Sequence, residues 1–121
     1  MRTHLQHMKE RYQTPIVMVN LINQRGPEAI LYRAFSTYHA ELADTDVKLV
    51  NWDFHQHCRK MQWHNVQLLL DQVDADMTRI GSFEAVLLGS CGSGNSSGTV
   101  DKVTRKQSGI IRTNCIDCLD R

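Results

Sequence analysis

The chain has 121 residues, which is the size of one ordinary domain. With 41% hydrophobic and 22% charged residues, its composition is that of a globular protein with a real core. The net charge of +1 excludes a general attraction to nucleic acid or membranes, so any preference for anions must be local. The sequence has neither the roughly 20-residue apolar run of a membrane span nor the apolar stretch of a signal peptide.

The four cysteines do not predict a disulfide framework, because nothing in the sequence indicates secretion. They are more typical of reduced thiols, of metal ligands or of a catalytic thiol. We therefore expect a cytoplasmic protein, with no nucleic-acid partner and no transmembrane segment in this chain.

The first half of the chain predicts helix, strand, helix and strand in that order. Residues 5–12 have helical apolar spacing, and the β-branched run at 16–22 is typical of a strand buried on both faces. After a turn at Gly26-Pro27, an amphipathic helix is predicted to about residue 43, and a second strand over 47–54. The predicted core side of that second helix comprises Ile30, Leu31, Ala34, Phe35, Tyr38 and Leu42.

The second half predicts a long helix over residues 56–77, followed by shorter elements. Its predicted core stripe comprises Met61, Val66, Leu69 and Leu70, with Trp52 and Trp63 as packing residues. The apolar residues 85–88 are of uncertain type, and the Gly/Ser-rich residues at about 89–99 predict a flexible loop. Residues 100–106 and 110–111, with a turn near Ser108-Gly109, predict a hairpin.

This order of elements predicts an α/β fold, with a mostly parallel sheet flanked by helices. In such sheets, functional sites lie beyond the carboxyl ends of the strands. The residues that follow the Ile110-Ile111 strand are therefore the first place to look for a site.

Cys115 and Arg121 are separated by five residues, which is the spacing of a cysteine-phosphatase loop. Five residues can curl so that successive backbone N–H groups surround one phosphate. The arginine can then bind two phosphate oxygens in a bidentate fork, while the cysteine lies under the phosphorus. Such a positive environment favours a thiolate, which could take the phosphoryl group as phosphocysteine and release it to water. The predicted phosphate-binding loop, 115–121, also includes or adjoins the candidate binding residues Asn114, Ile116, Cys118 and Leu119.

The flanking residues add specificity to this spacing. Residues 112–121 read Arg-Thr-Asn-Cys-Ile-Asp-Cys-Leu-Asp-Arg, and this stretch resembles the signature of Sac-domain phosphoinositide phosphatases almost letter for letter. Upstream, residues 19–26, the Asp53-Phe54-His55 element with Cys58, and residues 106–109 are similar to family segments in the same order.

The resemblance implies hydrolysis of phosphate from the inositol ring of membrane phosphoinositides, with no redox cofactor and no metal. It implies a peripheral location on the cytosolic face of endomembranes. It also implies that residues 1–121 are a partial Sac-type catalytic domain with a cysteine-phosphatase-like core, incomplete at both ends.

Two aspartates lie inside the predicted loop, and the leaving alcohol needs a proton from a nearby acid. Myotubularin phosphatases resemble this loop, and there the aspartate next to the arginine is taken as the acid. By that analogy Asp120 is the expected general acid and Asp117 a supporting or second candidate.

A basic group precedes the loop and is either a solvated surface or a binding surface for anionic head groups and membrane. It comprises Lys102, Arg105, Lys106 and Arg112, of which Lys102, Lys106 and Arg112 are the candidate contacts.

Other interpretations of these residues remain open. Cys115 and Cys118 form a Cys-x-x-Cys pair that could bind zinc together with His55, His57 or Cys58. Cys58 also fits the apolar face of a helix, and His55 could face the site or be satisfied locally. At the level of function, the rivals are a cysteine phosphatase for protein or soluble inositol phosphates, and an inactive chain that only binds phosphoinositide or a partner.

Overall fold

The computed structural model describes residues 2–88 and 99–115. The helices are α1 (Arg2–Tyr12), α2 (Ala29–Leu42), α3 (Phe54–His57) and α4 (Val66–Ile80). The strands are β1 (Ile16–Asn20), β2 (Val47–Asn51), β3 (Glu84–Leu88), β4 (Thr99–Arg105) and β5 (Ile110–Asn114). Short 3-10 turns cover Gly26–Glu28, Arg59–Met61 and Trp63–Asn65.

The centre of the fold is a three-stranded sheet in the order β2-β1-β5, with both neighbours parallel to β1. All five residues of β1 are buried, as the β-branched run predicts for a strand covered on both faces. The predicted α/β architecture with a parallel sheet and flanking helices is thereby confirmed.

Alternate residues of β1 contribute to two separate cores, because successive side chains of a strand point to opposite faces. Ile16 and Met18 pack with Leu5 and Met8 of α1 and with partly buried residues of α2. Val17 and Val19 pack with residues of α4 on the other face, among them Val73 and Ile80. The sheet is therefore the middle layer between α1 and α2 on one side and α4 on the other.

The predicted orientation of α2 is wrong at its beginning. Ile30 and Leu31 are 71% and 47% exposed. The helix faces the sheet with Phe35 and Leu42, and between them Ser36 and His39 make hydrogen bonds to β2 residues. Polar residues thus occupy part of the inner face of α2. Apolar spacing alone therefore predicts the wrong inner face for the start of this helix.

The predicted long helix over 56–77 is wrong in its first part: residues 66–77 lie in α4, but the residues before Val66 form α3 and two short turns. The chain turns sharply between α3 and α4, because Lys60 and Met61 both adopt left-handed backbone angles (φ 57° and 61°). The Asn65 side chain closes this turn by donating a hydrogen bond to the carbonyl of His57 (2.6 Å). Two predicted packing residues at this turn, Met61 and Trp63, are exposed, and Leu70 on α4 is exposed as well.

The predicted hairpin between residues 100–106 and 110–111 is replaced by a different pairing. β4 pairs antiparallel with β3, and β5 joins the central sheet. The reason is burial: Ile110 packs against one core and Ile111 against the other, which a two-stranded hairpin could not provide. Residues 89–98 of the predicted loop lie outside the described residues, and Thr99 already belongs to β4.

No helix in residues 2–88 and 99–115 combines the length and apolarity that crossing a bilayer requires.

Candidate active site

The structure places Cys115 directly after Asn114, the last residue of β5. This is the carboxyl edge of the parallel sheet, where the loops that follow β1 and β2 also begin. Cys115 is partly buried. The remaining residues of the predicted loop lie outside the described residues, namely Ile116, Asp117, Cys118, Leu119, Asp120 and Arg121.

All three strands end in asparagine at this edge, and the three residues are in register. Asn20 of β1 is opposite both Asn51 of β2 and Asn114 of β5. Asn114 Nδ2 donates to Asn20 Oδ1 (2.7 Å), and Asn20 Nδ2 donates to Asn51 Oδ1 (2.9 Å). Asn51 Nδ2 in turn donates to the hydroxyl of Ser36 on α2 (3.2 Å). We call this chain of amides, Asn114–Asn20–Asn51, the asparagine row.

The backbone extends the parallel pairing one residue past the strands. The Leu21 N–H donates to the Asn114 carbonyl, and the Trp52 N–H donates to the Asn20 carbonyl, both at 2.9 Å. Asn114 is therefore bound through main chain and side chain just before Cys115.

Arg112 adds a positive charge to this edge. Residues 112 and 114 lie on the same face of β5, because they are two apart in a strand. Arg112 Nη1 donates to Asn114 Oδ1 (3.4 Å), so the amide next to Cys115 has partners on both of its polar atoms. Of the predicted basic residues, Arg112 is the one that the structure connects to the row.

The loops after β1 and β2 are joined by a buried carboxylate. Asp53 is 5% exposed and caps α3 by accepting the Gln56 N–H at Oδ1 (2.9 Å). Its Oδ2 accepts the Gln24 N–H of the neighbouring loop, also at 2.9 Å. The bridge fixes two of the three loops at the carboxyl edge relative to each other.

A polar cavity of about 440 Å³ opens between these two loops. The exposed Arg25, His55 and Arg59 lie in its lining, so it is a basic recess on the same edge as Cys115. His55 therefore lies at the carboxyl edge of the sheet. It is beyond the end of β2, whereas Cys115 follows β5 on the other side of β1. The full lining consists of Asn23, Arg25, Asp53, His55, Gln56 and Arg59.

Other candidate residues have packing roles. Cys58 is buried in the core, as the packing interpretation predicts. Trp52 is also buried and stacks on the His57 ring, with the ring centroids 4.6 Å apart.

The basic residues before the site do not form one patch. Lys106 lines a separate cavity with Arg11, Gly109 and the start of β5. Arg105 is paired with Glu84 at the base of the β3-β4 hairpin, and Lys102 lies opposite Val86 within that hairpin. Residues close in sequence are separated because β4 and β5 belong to different sheets.

Within residues 2–88 and 99–115, no three His, Cys, Asp or Glu side chains are grouped closely enough to hold a metal ion. The zinc interpretation depends on Cys118, which lies outside that part of the chain.

Sequence reasoning missed the asparagine row and the Asp53 bridge. A signal for the row is present: a β-branched residue is followed by asparagine at Val19-Asn20, Val50-Asn51 and Thr113-Asn114. Three strands that end in the same amide predict a row of paired side chains once they are placed in parallel and in register.

Comparison with known proteins identifies relatives for almost the whole chain. The profile of the SacI homology domain matches residues 1–59. The chain is 35% identical over 121 residues to phosphatidylinositol-3-phosphatase SAC1 of Saccharomyces cerevisiae, covering 99% of this chain and 18% of the yeast protein. It is 33% identical to phosphatidylinositol-3-phosphatase SAC1-A of Danio rerio, with 98% of this chain and 19% of the fish protein covered. For phosphoinositide phosphatase SAC7 of Arabidopsis thaliana, the identity is 28% over 98% of this chain and 18% of the plant protein.

The chain therefore spans about a fifth of the length of the relatives it matches. Their names agree with the resemblance noted at residues 112–121. The chain belongs to the Sac-domain phosphoinositide phosphatase family.

Proposed function

We propose that this chain is part of the catalytic domain of a phosphatase that removes phosphate from the inositol ring of membrane phosphatidylinositol phosphates. The observation that carries the proposal is the position of Cys115, directly after β5 at the carboxyl edge of a parallel sheet. Relatives named as phosphoinositide phosphatases support the same substrate class.

The first chemical step is transfer of the phosphoryl group to Cys115. The thiolate sulfur attacks phosphorus, and the bond between phosphorus and the ring oxygen breaks with its electron pair on that oxygen. The leaving oxygen takes a proton from Asp120, with Asp117 as the second candidate. Arg121 binds two oxygens of the transferred group, and the backbone N–H groups of residues 116–121 surround them.

The second step restores the enzyme. Water attacks phosphorus, the P–S bond breaks, and the thiolate is regenerated together with inorganic phosphate. The water proton goes to the carboxylate that acted as acid in the first step, so the cycle consumes one water molecule per phosphate ester.

The lipid substrate implies work at the cytosolic face of endomembranes, with the protein bound peripherally. Lys102, Lys106 and Arg112 are the proposed contacts for anionic head groups, together with Asn114, Ile116, Cys118 and Leu119 around the phosphate. Each basic residue near an anionic surface contributes about 1 kcal/mol to membrane binding.

The decisive test is release of inorganic phosphate from vesicles that contain phosphatidylinositol monophosphate. Cys115→Ser should abolish release, because the hydroxyl is a far weaker nucleophile than a thiolate. Cys58→Ser is the matched control, since Cys58 is buried in the core and should affect stability alone. Vesicle binding without release, unchanged by Cys115→Ser, would instead support an inactive binding protein. Faster release from soluble inositol phosphates than from lipid would support the other enzyme class.

The assignment of the acid is tested by two variants of the same kind. Asp120→Asn should reduce turnover of the lipid more than Asp117→Asn, because only the acid protonates the leaving oxygen. The assignment is reversed if Asp117→Asn abolishes turnover while Asp120→Asn leaves it unchanged.

Membrane docking is tested by changing Lys102 and Lys106 together to alanine. Binding to anionic vesicles should fall more than hydrolysis of a soluble substrate, since the soluble substrate needs no membrane surface. Lys48→Ala is the control, because Lys48 is ion-paired with Asp76 on α4. Equal losses for lipid and soluble substrates would contradict a docking role.

A further inference from the structure

Asn20 is a fully buried polar side chain at the end of an otherwise apolar strand. Its exposed fraction is 0%, and the four preceding residues of β1 are Ile16, Val17, Met18 and Val19. Burying an amide is unfavourable unless its polar atoms find partners. Both polar atoms of Asn20 do, at Asn114 and Asn51. Asn20 Oδ1 also accepts the Ile22 N–H (3.4 Å), so this buried amide connects the start of the loop after β1 with the neighbouring strand β5.

The structure shows what the amide holds. Asn20 Oδ1 accepts the shorter of the two side-chain bonds of Asn114, at 2.7 Å against 3.4 Å for the Arg112 bond. In addition, the Leu21 N–H donates a hydrogen bond to the backbone carbonyl of Asn114. With side chain and carbonyl both bound to β1, the direction in which the chain leaves β5 is set, and the next residue is Cys115.

We propose that Asn20 is a positioning residue for Cys115: through its bond to Asn114, it sets where the thiol leaves the sheet. This inference rests on the proposed function for its catalytic consequence. Among the described residues, the Asn20 side chain is hydrogen-bonded to Asn114, Asn51 and the Ile22 N–H, so its proposed effect on Cys115 acts through Asn114. Its effect matters because a nucleophile misplaced by about 1 Å can lose about a hundredfold in rate.

Asn51 provides the matched control within the same row. It too ends a strand and makes a bond to Asn20, but it belongs to β2, on the other side of β1 from β5. With neighbouring strands about 4.8 Å apart, its backbone is about 10 Å from that of Asn114. Removing the Asn51 side chain therefore breaks the row without breaking the bond that reaches Asn114.

The experiment compares Asn20→Ala with Asn51→Ala in the full chain, below the Tm of both variants. For Asn20→Ala, kcat on phosphoinositide vesicles should fall by about tenfold to a hundredfold, a larger change than in KM, since the placement of the nucleophile changes while the Asn114 side chain is still present. The rate and pH profile of Cys115 alkylation, with and without inorganic phosphate, should also shift. Asn51→Ala should lower the Tm but change kcat and the alkylation profile much less.

Asn114→Ala is the second variant, in case Asn20→Ala does not fold. Asn114 is only partly buried, and its loss breaks the same bond from the exposed side. A positioning role predicts a fall in kcat and a changed alkylation profile. A rise in KM would reflect the contact with phosphate proposed above for Asn114, whereas an unchanged kcat with an unchanged alkylation profile would overturn the role of the Asn20 bond.

The results separate this inference from the proposed function. If the unchanged chain releases phosphate and both row variants lose activity equally, in proportion to their Tm, the positioning role is overturned while the phosphatase stands. If the unchanged chain releases none, but Asn20→Ala alters Cys115 alkylation and Asn51→Ala does not, the phosphatase proposal fails and the positioning role stands.

Discussion

The two ends of the central sheet are built from the same three strands but from opposite kinds of residue. At the amino end, Ile16 is in register with Val47 and Ile110. At the carboxyl end, the residues in register are the three amides of the asparagine row. Over five residues the same strands change from apolar packing to paired polar groups, so one end contributes to the core and the other presents amides next to Cys115.

The amino end also depends on close backbone contact. The Gly109 N–H donates to the Tyr12 carbonyl (2.8 Å), and the Ile110 N–H donates to that of Pro15 (3.0 Å). A Cβ at Gly109 would lie 2.3 Å from the Pro15 oxygen, and Gly109 has a φ of +98°. Nothing larger than glycine fits there.

The largest effect is expected where this contact is disturbed. Gly109→Ala should lower the free energy of unfolding by about 3 kcal/mol or more, because it adds a backbone clash to an unfavourable φ. Gly26→Ala is the control: Gly26 has a φ of +72° but open space around it, so only the conformational cost of about 1 kcal/mol remains. Urea unfolding of both variants measures the difference, and equal losses would show that the contact with Pro15 is unimportant.

The next effect concerns the carboxyl edge. Asp53→Ala should lower the free energy of unfolding by about 2 kcal/mol, because it removes a helix cap and leaves the partly buried Gln24 N–H without its acceptor. Hydrogen exchange should rise at Gln24 and Gln56. Asp71→Ala is the control, since within residues 2–88 and 99–115 Asp71 accepts an exposed bond from Gln67, worth about 0.2–0.5 kcal/mol. Exchange that rises equally along the whole chain would contradict a local bridge.

A smaller effect on stability is expected from the ion pair between Lys9 of α1 and Asp44, which lies between α2 and β2. The hydrogen bond from Lys9 (2.6 Å) lowers the pKa of Asp44 below 3.8, and the same bond raises the pKa of Lys9 above 10.5. The stabilisation from Asp44 is therefore present above pH 3.8 and lost as the pH falls through its lowered pKa. That from Lys9 is complete below pH 10.5 and lost as the pH rises through its raised pKa.

Asp44→Asn should accordingly cost about 0.5–1 kcal/mol at neutral pH, and its difference from the unchanged chain should shrink in strong acid. Urea unfolding at about pH 7 and about pH 3 measures this. Glu84→Gln should lower the free energy of unfolding by less than Asp44→Asn does, because both Glu84 and its partner Arg105 are more than half exposed. A difference that stays constant with pH would contradict the ion-pair account.

The smallest effect is expected at the far end of the asparagine row. Ser36→Ala removes the acceptor of Asn51 Nδ2 but should cost only about 0.5 kcal/mol, because Asn51 is partly exposed and water can replace the hydroxyl. Alkylation of Cys115 should be unchanged. A large change would mean that the row transmits disturbances along its whole length rather than acting through the Asn20–Asn114 bond.

Part of the site could be predicted from local spacing. The Cys-x5-Arg pattern marks Cys115 without any knowledge of the fold, and the order of strands and helices predicts that it follows a strand of a parallel sheet. The row could not be predicted in the same way. Asn20 and Asn114 are 94 residues apart in sequence, and only their parallel register makes them neighbours.

The errors have a common physical origin. Apolar spacing predicts a helix through Lys60 and Met61 and an inward-facing Ile30, yet the chain turns at the first two and exposes the third. Periodicity describes one element at a time, whereas the inner face of α2 includes Ser36 and His39 because the sheet supplies them with partners. Likewise, β5 pairs with β1 and not with β4, because in the central sheet both faces of β5 pack against a core.

The sequence by itself determined the buried central strand, the parallel α/β arrangement and the thiol with its phosphatase spacing, because hydrophobic runs and short motifs are local properties. The tertiary structure decided which strand pairs with which, which polar residues are buried, and what holds the residue before Cys115. Those outcomes depend on hydrogen bonds and burial between residues far apart in the chain, which no local pattern contains.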